Sequence, residues 1–214
     1  DAAVRTDGVL WLPAVFRDAL LAKAFCLNEL GRLEDAFALL ERAAELDPEN
    51  PQVYAELGFT LSSQDNLAQA RSAYIHALEL EPQNPAFQCA LAHIALLEDA
   101  FEEARDRAQR ALALDPESIQ ALHQLAFALY RLGALDEAIQ VLERARALAP
   151  GDPENVRRLA MVLHEAGRQR DAIACMNAFL QDGDADPELL GLLTELLQQE
   201  GSSAEMIPHA RRLL

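Results

Sequence analysis

Residues 51–84 read PQVYAELGFTLSSQDNLAQARSAYIHALELEPQN, and this stretch decides the fold. Tyr54, Leu57, Gly58 and Leu61 fall three and four residues apart, which puts them on one helical face. Asp65 and Asn66 interrupt the pattern. Leu67, Ala70, Tyr74 and Ala77 then build a second apolar stripe, and Pro82 stops it. Ahead of the first stripe, Asn50 and Pro51 pair a capping side chain with a first-turn proline. The stretch reads as two amphipathic helices joined by a tight turn.

The same unit recurs on both sides. Pro48, Pro82, Pro116 and Pro150 are each 34 residues apart, as are Ala36, Ala70, Ala104, Ala138 and Ala172, and Ala43, Ala77, Ala111 and Ala145. One period in three registers marks an internal repeat. Five full units run 17–50, 51–84, 85–118, 119–152 and 153–186, and a shortened unit covers 187–214. Asn84-Pro85, Asp152-Pro153 and Asp186-Pro187 repeat the helix-start signal. Gly31, Gly133, Gly167 and Gly201 stand where the first helix of a unit stops, as a left-handed cap requires. Asp65 and Asp99 take that place in two units, a conformation Asp tolerates better than most residues. Ala24, Gly58, Ala92, Ala126 and Ala160 on the first helices, with the recurrent alanines on the second, let paired helices approach closely. No unit buries its apolar face alone, so stacking builds the core.

This pattern resembles the tetratricopeptide repeat family, on Tyr54-x-x-Leu57-Gly58-x-x-Leu61 with Ala70, Tyr74, Ala77 and Pro82, echoed by Leu122, Leu125, Ala126, Leu129, Ala138, Leu142, Ala145 and Pro150. The resemblance implies an all-α fold, a right-handed superhelical solenoid of antiparallel helix pairs whose first helices line the concave side. It implies a scaffold more than a ligand, because members of such a family share architecture rather than partner. Several residues depart from the pattern. Lys23 takes an apolar place. Ala95 and Ala108 are undersized, with Phe87 and Phe101 placed to compensate. Phe179 replaces a small alanine and Asp184 a proline. Thr194 and Met206 occupy small places in the last unit, and Pro208 interrupts its second helix, so 187–214 reads as a capping repeat. Residues 1–16, with Leu10, Trp11, Leu12 and Phe16, do not fit the repeat. They read as an N-terminal apolar cap on a helix over 17–30, or as the remnant of an upstream repeat.

Composition excludes other classes. The chain has 214 residues, 51% of them apolar, with Gly 9 and Pro 10, so low-complexity disorder and collagen do not fit. No apolar run approaches the roughly 18 residues a spanning helix needs, so no membrane insertion is expected. Eighteen basic against 35 acidic residues give a net charge of −17, which repels nucleic acid and favours cationic partners. Cys26, Cys89 and Cys175 are odd in number and far apart, which argues against a disulfide framework and for a reducing, cytoplasmic compartment. A periplasmic or exported location is the other reading. Residues 8–16 are apolar but lack the basic flank and cleavage site of a secretion signal. The start at Asp1 rather than Met is read as a cut fragment or a processed product.

No catalytic motif is present, no phosphate loop, GxSxG or HExxH, so the chain is expected not to be an enzyme and to need no cofactor. Cys89, His93 and His123 form the one metal alternative, read instead as groove-lining residues. The ninth residue of successive units is Phe25, Phe59, His93, Phe127, Met161 and Glu195. Aromatic or soft apolar residues thus recur on a first-helix face that core packing does not require. Padding between neighbouring first helices would explain them; a recognition strip is the reading adopted. The expected groove comprises Phe25, Phe59, His93, Phe127 and Met161, with His123, Tyr130, Arg131, Arg157 and Arg158, the arginines adding positive charge. Fully burying a Phe is worth roughly 1.5–3 kcal/mol. Three or four half-covered anchors give about 4–6 kcal/mol, against an association cost of about 4–15 kcal/mol. Tight binding therefore needs backbone hydrogen bonds or Arg–carboxylate pairs as well.

The family's carboxylate clamp of Lys and Asn on first helices is not matched, since the corresponding positions are apolar, acidic or small in the first three units; the positions of an asparagine ladder hold Ala22, Glu56, Ala90, Gln124, Arg158 and Leu192. The function expected is a non-catalytic scaffold that binds a peptide or helix of a protein partner in an apolar groove. The alternative is a regulatory or substrate-docking region of a larger enzyme. Self-association through the terminal repeats is a further expectation.

Overall fold

The computed structural model describes residues 2–182 and 186–200. Eleven α-helices and no strand occupy the described residues. First helices are α1 (Ala2–Glu29), α3 (Pro51–Ser63), α5 (Pro85–Leu97), α7 (Ile119–Arg131), α9 (Pro153–Glu165) and α11 (Pro187–Glu200). Second helices are α2 (Leu33–Leu46), α4 (Leu67–Leu80), α6 (Phe101–Leu114), α8 (Leu135–Leu148) and α10 (Gln169–Asp182). From α4 onward each helix begins 34 residues after the equivalent one before it. The helices fall into two compact units, α1–α6 within residues 1–116 and α7–α11 within residues 117–214. Within each unit every helix packs on its neighbour in sequence, so the chain is a series of antiparallel helix pairs.

Local chemistry sets the boundaries. Asn50, Asn84 and Asp152 accept hydrogen bonds from the backbone N–H of Gln52, Ala86 and Glu154, with proline at the first helical position. Each of these caps satisfies a helix donor that has no partner within its own helix. Between paired helices the chain turns through one left-handed residue: Gly31, Asp65, Asp99, Gly133 or Gly167, with φ of 70°, 61°, 56°, 79° and 72°. The next residue then reaches back to the first helix, as Asn66 N–H does to the Leu61 carbonyl at 2.9 Å and Ala100 N–H to Ala95 at 2.8 Å. Two backbone bonds per turn fix the angle of each pair.

The small residues are where the helices meet. Ala24, Ala36, Ala70, Ala92, Ala104, Ala138, Ala160 and Ala172 have no accessible surface. Leu40, Leu91, Leu122, Leu142 and Leu159 fill the layers between them. Ala95 and Ala108 are fully buried, and Phe87 is nearly so.

The N-terminal region differs from expectation. Residues 2–16 are the first turns of α1, which runs without a break to Glu29, rather than a segment laid against a helix that starts at residue 17. Pro13 lies within this helix, where it has no N–H to reach the residue 9 carbonyl. The side chains of Leu10, Trp11 and Leu12 lie outside the described residues, as do Asp184, Gly201, Met206 and Pro208.

Candidate partner-binding surface

In the first unit, Ala24 and Gly58 face their partner helices while the next residue along, Phe25 or Phe59, faces out. Phe25 is 55% and Phe59 47% exposed. A buried polar pair holds these two first helices in register: Asn28 Nδ2 donates to Thr60 Oγ1 at 3.0 Å. Thr60 Oγ1 also reaches the Glu56 carbonyl. A pocket of about 360 Å³ opens there, with walls of Phe25, Phe59, Tyr74 and Phe87 and a small-residue floor from Ala55 and Ala90. Tyr74 is buried and lies against Gly58; burial, then the Glu56 charge, push its hydroxyl pKa up, so it stays neutral. Glu29 and Glu56 stand at the rim. Neither makes an ion pair with a described residue; Glu56 Oε1 accepts from Gln52 Nε2 at 3.1 Å.

The second unit repeats the geometry with other chemistry. Phe127 is 36% and Met161 54% exposed. They line a pocket of about 270 Å³ with His123, Tyr130, Glu154, Arg157 and Arg158. Tyr130 lies 6.4 Å from Phe127 between ring centres, and the Arg131 guanidinium carbon sits 5.7 Å over the Phe127 ring. Buried Asn155 donates to the Ala145 and Ala149 carbonyls, so its Oδ1 accepts. His123 Nε2 lies 2.5 Å from that oxygen and carries the proton of this contact, which fixes the ring on the pocket wall.

The arginines expected to meet a partner are already engaged. Arg157 pairs with Glu154 and with Glu188, and Arg158 Nε lies 2.5 Å from Glu154 Oε1. Burial raises the Glu154 pKa, but the hydrogen bond from Arg157 and the charges of Arg158 and Arg157 outweigh it, and the carboxyl sits below its ordinary value. A partner carboxylate would have to share these guanidinium groups with Glu154.

The structure thus brings Phe25 and Phe59 together in one pocket, and Phe127, Met161, His123, Tyr130, Arg157 and Arg158 in another, with Arg131 on the Phe127 ring. His93 is exposed but lines neither of these pockets. Cys89 is buried at 3% exposure, and no group of three His, Cys, Asp or Glu among the described residues is arranged to hold a metal ion. Sequence reading missed Glu29, Glu56, Tyr74, Phe87 and Glu154. A signal for three of them existed: Glu29 and Arg131 share one repeat register, 34 × 3 residues apart, as Glu56 and Arg158 do, and Glu154 lies three and four residues before Arg157 and Arg158.

These features define a tandem helix-pair repeat protein with side-chain-lined pockets on its first helices. The chain belongs to the tetratricopeptide repeat family: one family profile of that description matches residues 27–94, 95–157 and 131–196, and a second matches 1–51. Among solved structures, that of Pseudomonas aeruginosa pilF is similar at 20% identity and a TM-score of 0.78, over 94% of this chain and 91% of that one. PilW, described as a widely conserved type IV pilus biogenesis factor, is similar at 18% identity and a TM-score of 0.79, over 92% of this chain and 91% of that one. YrrB, described as a TPR protein with an unusual peptide-binding site, is similar at 20% identity and a TM-score of 0.64, over 85% of this chain and 90% of that one. At these identities the likeness is one of fold. None of the curated proteins compared with the chain matches it.

Proposed function

We propose that the chain is a non-catalytic interaction module that holds an extended or helical segment of a protein partner against its first helices. One observation carries this reading: Phe25, Phe59, Phe127 and Met161 are 36–55% exposed in a single repeat register, beside small residues that are fully or almost fully buried. Side chains needed only as padding would be covered. Contiguous exposed apolar surface on a protein commonly marks a site of interaction with a partner. Membership of a repeat family, and the peptide-binding site described for the similar YrrB, support a peptide as the ligand class.

The same reading places the chain in a reducing, cytoplasmic compartment, with a periplasmic or exported one as the alternative. No described helix is long and apolar enough to cross a membrane.

The test is a peptide selected on the full chain from a random library. Phe59→Ala and Phe127→Ala together weaken its binding by at least about tenfold, about 1.4 kcal/mol, while circular dichroism stays helical. Unchanged affinity in the folded double variant contradicts the proposal. Self-association through the terminal repeats belongs to the same reading, and light scattering that shows a monomer at every concentration removes it.

A further inference from the structure

The two pockets stand in the same repeat register and differ in charge at equivalent positions. Where the second unit has Arg131 and Arg158, the first has Glu29 and Glu56. Arg158 is paired with Glu154, but no described cation pairs with Glu29 or Glu56. Phe25, Phe59, Tyr74 and Phe87 line the same pocket as these two carboxylates. An apolar aromatic wall that ends in unpaired negative charge suits one kind of side chain, a long aliphatic stem with a cationic head. Arg and Lys bury their stems along apolar surface and keep the charge at the rim. Aromatic faces attract the same cations through their ring quadrupoles.

We propose that the pocket formed by α1, α3, α4 and α5 captures an arginine or lysine of the partner segment, its stem along Phe25 and Phe59 and its head at Glu29 or Glu56. This rests on the first-helix face being the binding surface, and it adds the charge of the residue bound there. The chain's net charge of −17 draws basic segments to the whole surface; the pocket localises one such side chain.

Random dodecapeptides displayed on phage and selected against the full chain supply the probe. A class carrying Arg or Lys within three residues of Leu, Phe or another apolar residue is expected. Glu29→Gln with Glu56→Gln should lose that class. Glu41→Gln with Glu45→Gln, on exposed α2 positions, changes net charge equally and should keep it. For one selected peptide, replacing its basic residue by Gln should weaken binding to the wild type by about fivefold, and should change little in the Glu29→Gln, Glu56→Gln variant. The inference is overturned if no basic class appears, or if that class survives Glu29→Gln with Glu56→Gln. Should Phe25→Ala with Phe59→Ala abolish binding while the Glu variants do not, the surface stands and the cation fails. Selection indifferent to both pairs of substitutions removes the surface as well.

Discussion

At the scale of single residues, Gly58 shows how closely a pair is packed. A Cβ built there would lie 2.7 Å from the Tyr74 ring, with three ring atoms inside 3.0 Å. The ring is buried and part of the α3–α4 contact, so it has little room to move aside. Gly58→Ala is therefore expected to lower stability by about 1–3 kcal/mol, despite the better helix propensity of Ala. Urea denaturation measures it. Adding Tyr74→Phe should give no relief, because the crowded atoms belong to the ring rather than the hydroxyl. A Gly58→Ala protein as stable as the wild type would show that the pair is looser than described.

Elements are set by their ends more than by their middles. Asp65 and Asp99 hold φ of 61° and 56°, where the other turns use glycine. Placing an L-residue there costs roughly 1–2 kcal/mol in steric strain, less for Asp, whose side chain bonds locally. Asp99→Gly should thus raise stability by about 0.5–1 kcal/mol in thermal or urea unfolding. A decrease would mean the Asp99 side chain contributes more than its backbone strain removes. These turns were legible in the sequence because either glycine or aspartate stands at one register between two apolar stripes. The start of α1 was not. Pro13 reads as a helix breaker, and residues 2–16 share no register with the repeats, yet a proline removes one bond of a 28-residue helix. The floor of the groove was legible in part. Phe25, Phe59, Phe127 and Met161 stand out in one register, whereas the first pocket draws residues from four helices and the second from three, and register alone does not show which charges are already paired. Arg157 and Arg158 looked available in the sequence, and Glu154 holds both.

For the whole molecule, a repeated sequence has become two units with a common plan and different surfaces. The recurrent alanines and leucines serve packing, and they recur because every pair needs the same close approach. Function lies in what differs between repeats at outward positions: phenylalanine against histidine or methionine, glutamate against arginine. The central claim is that a partner touches those outward residues and leaves the stacked core alone. Two methionines separate the alternatives. Met161 is 54% exposed in the second pocket, and Met176 is fully buried. With ¹³C-methyl methionine and a library-selected peptide whose binding Phe127→Ala weakens, the Met161 methyl signal should shift on titration to saturation while that of Met176 stays in place. A Met161 signal that does not move at saturation would contradict the account.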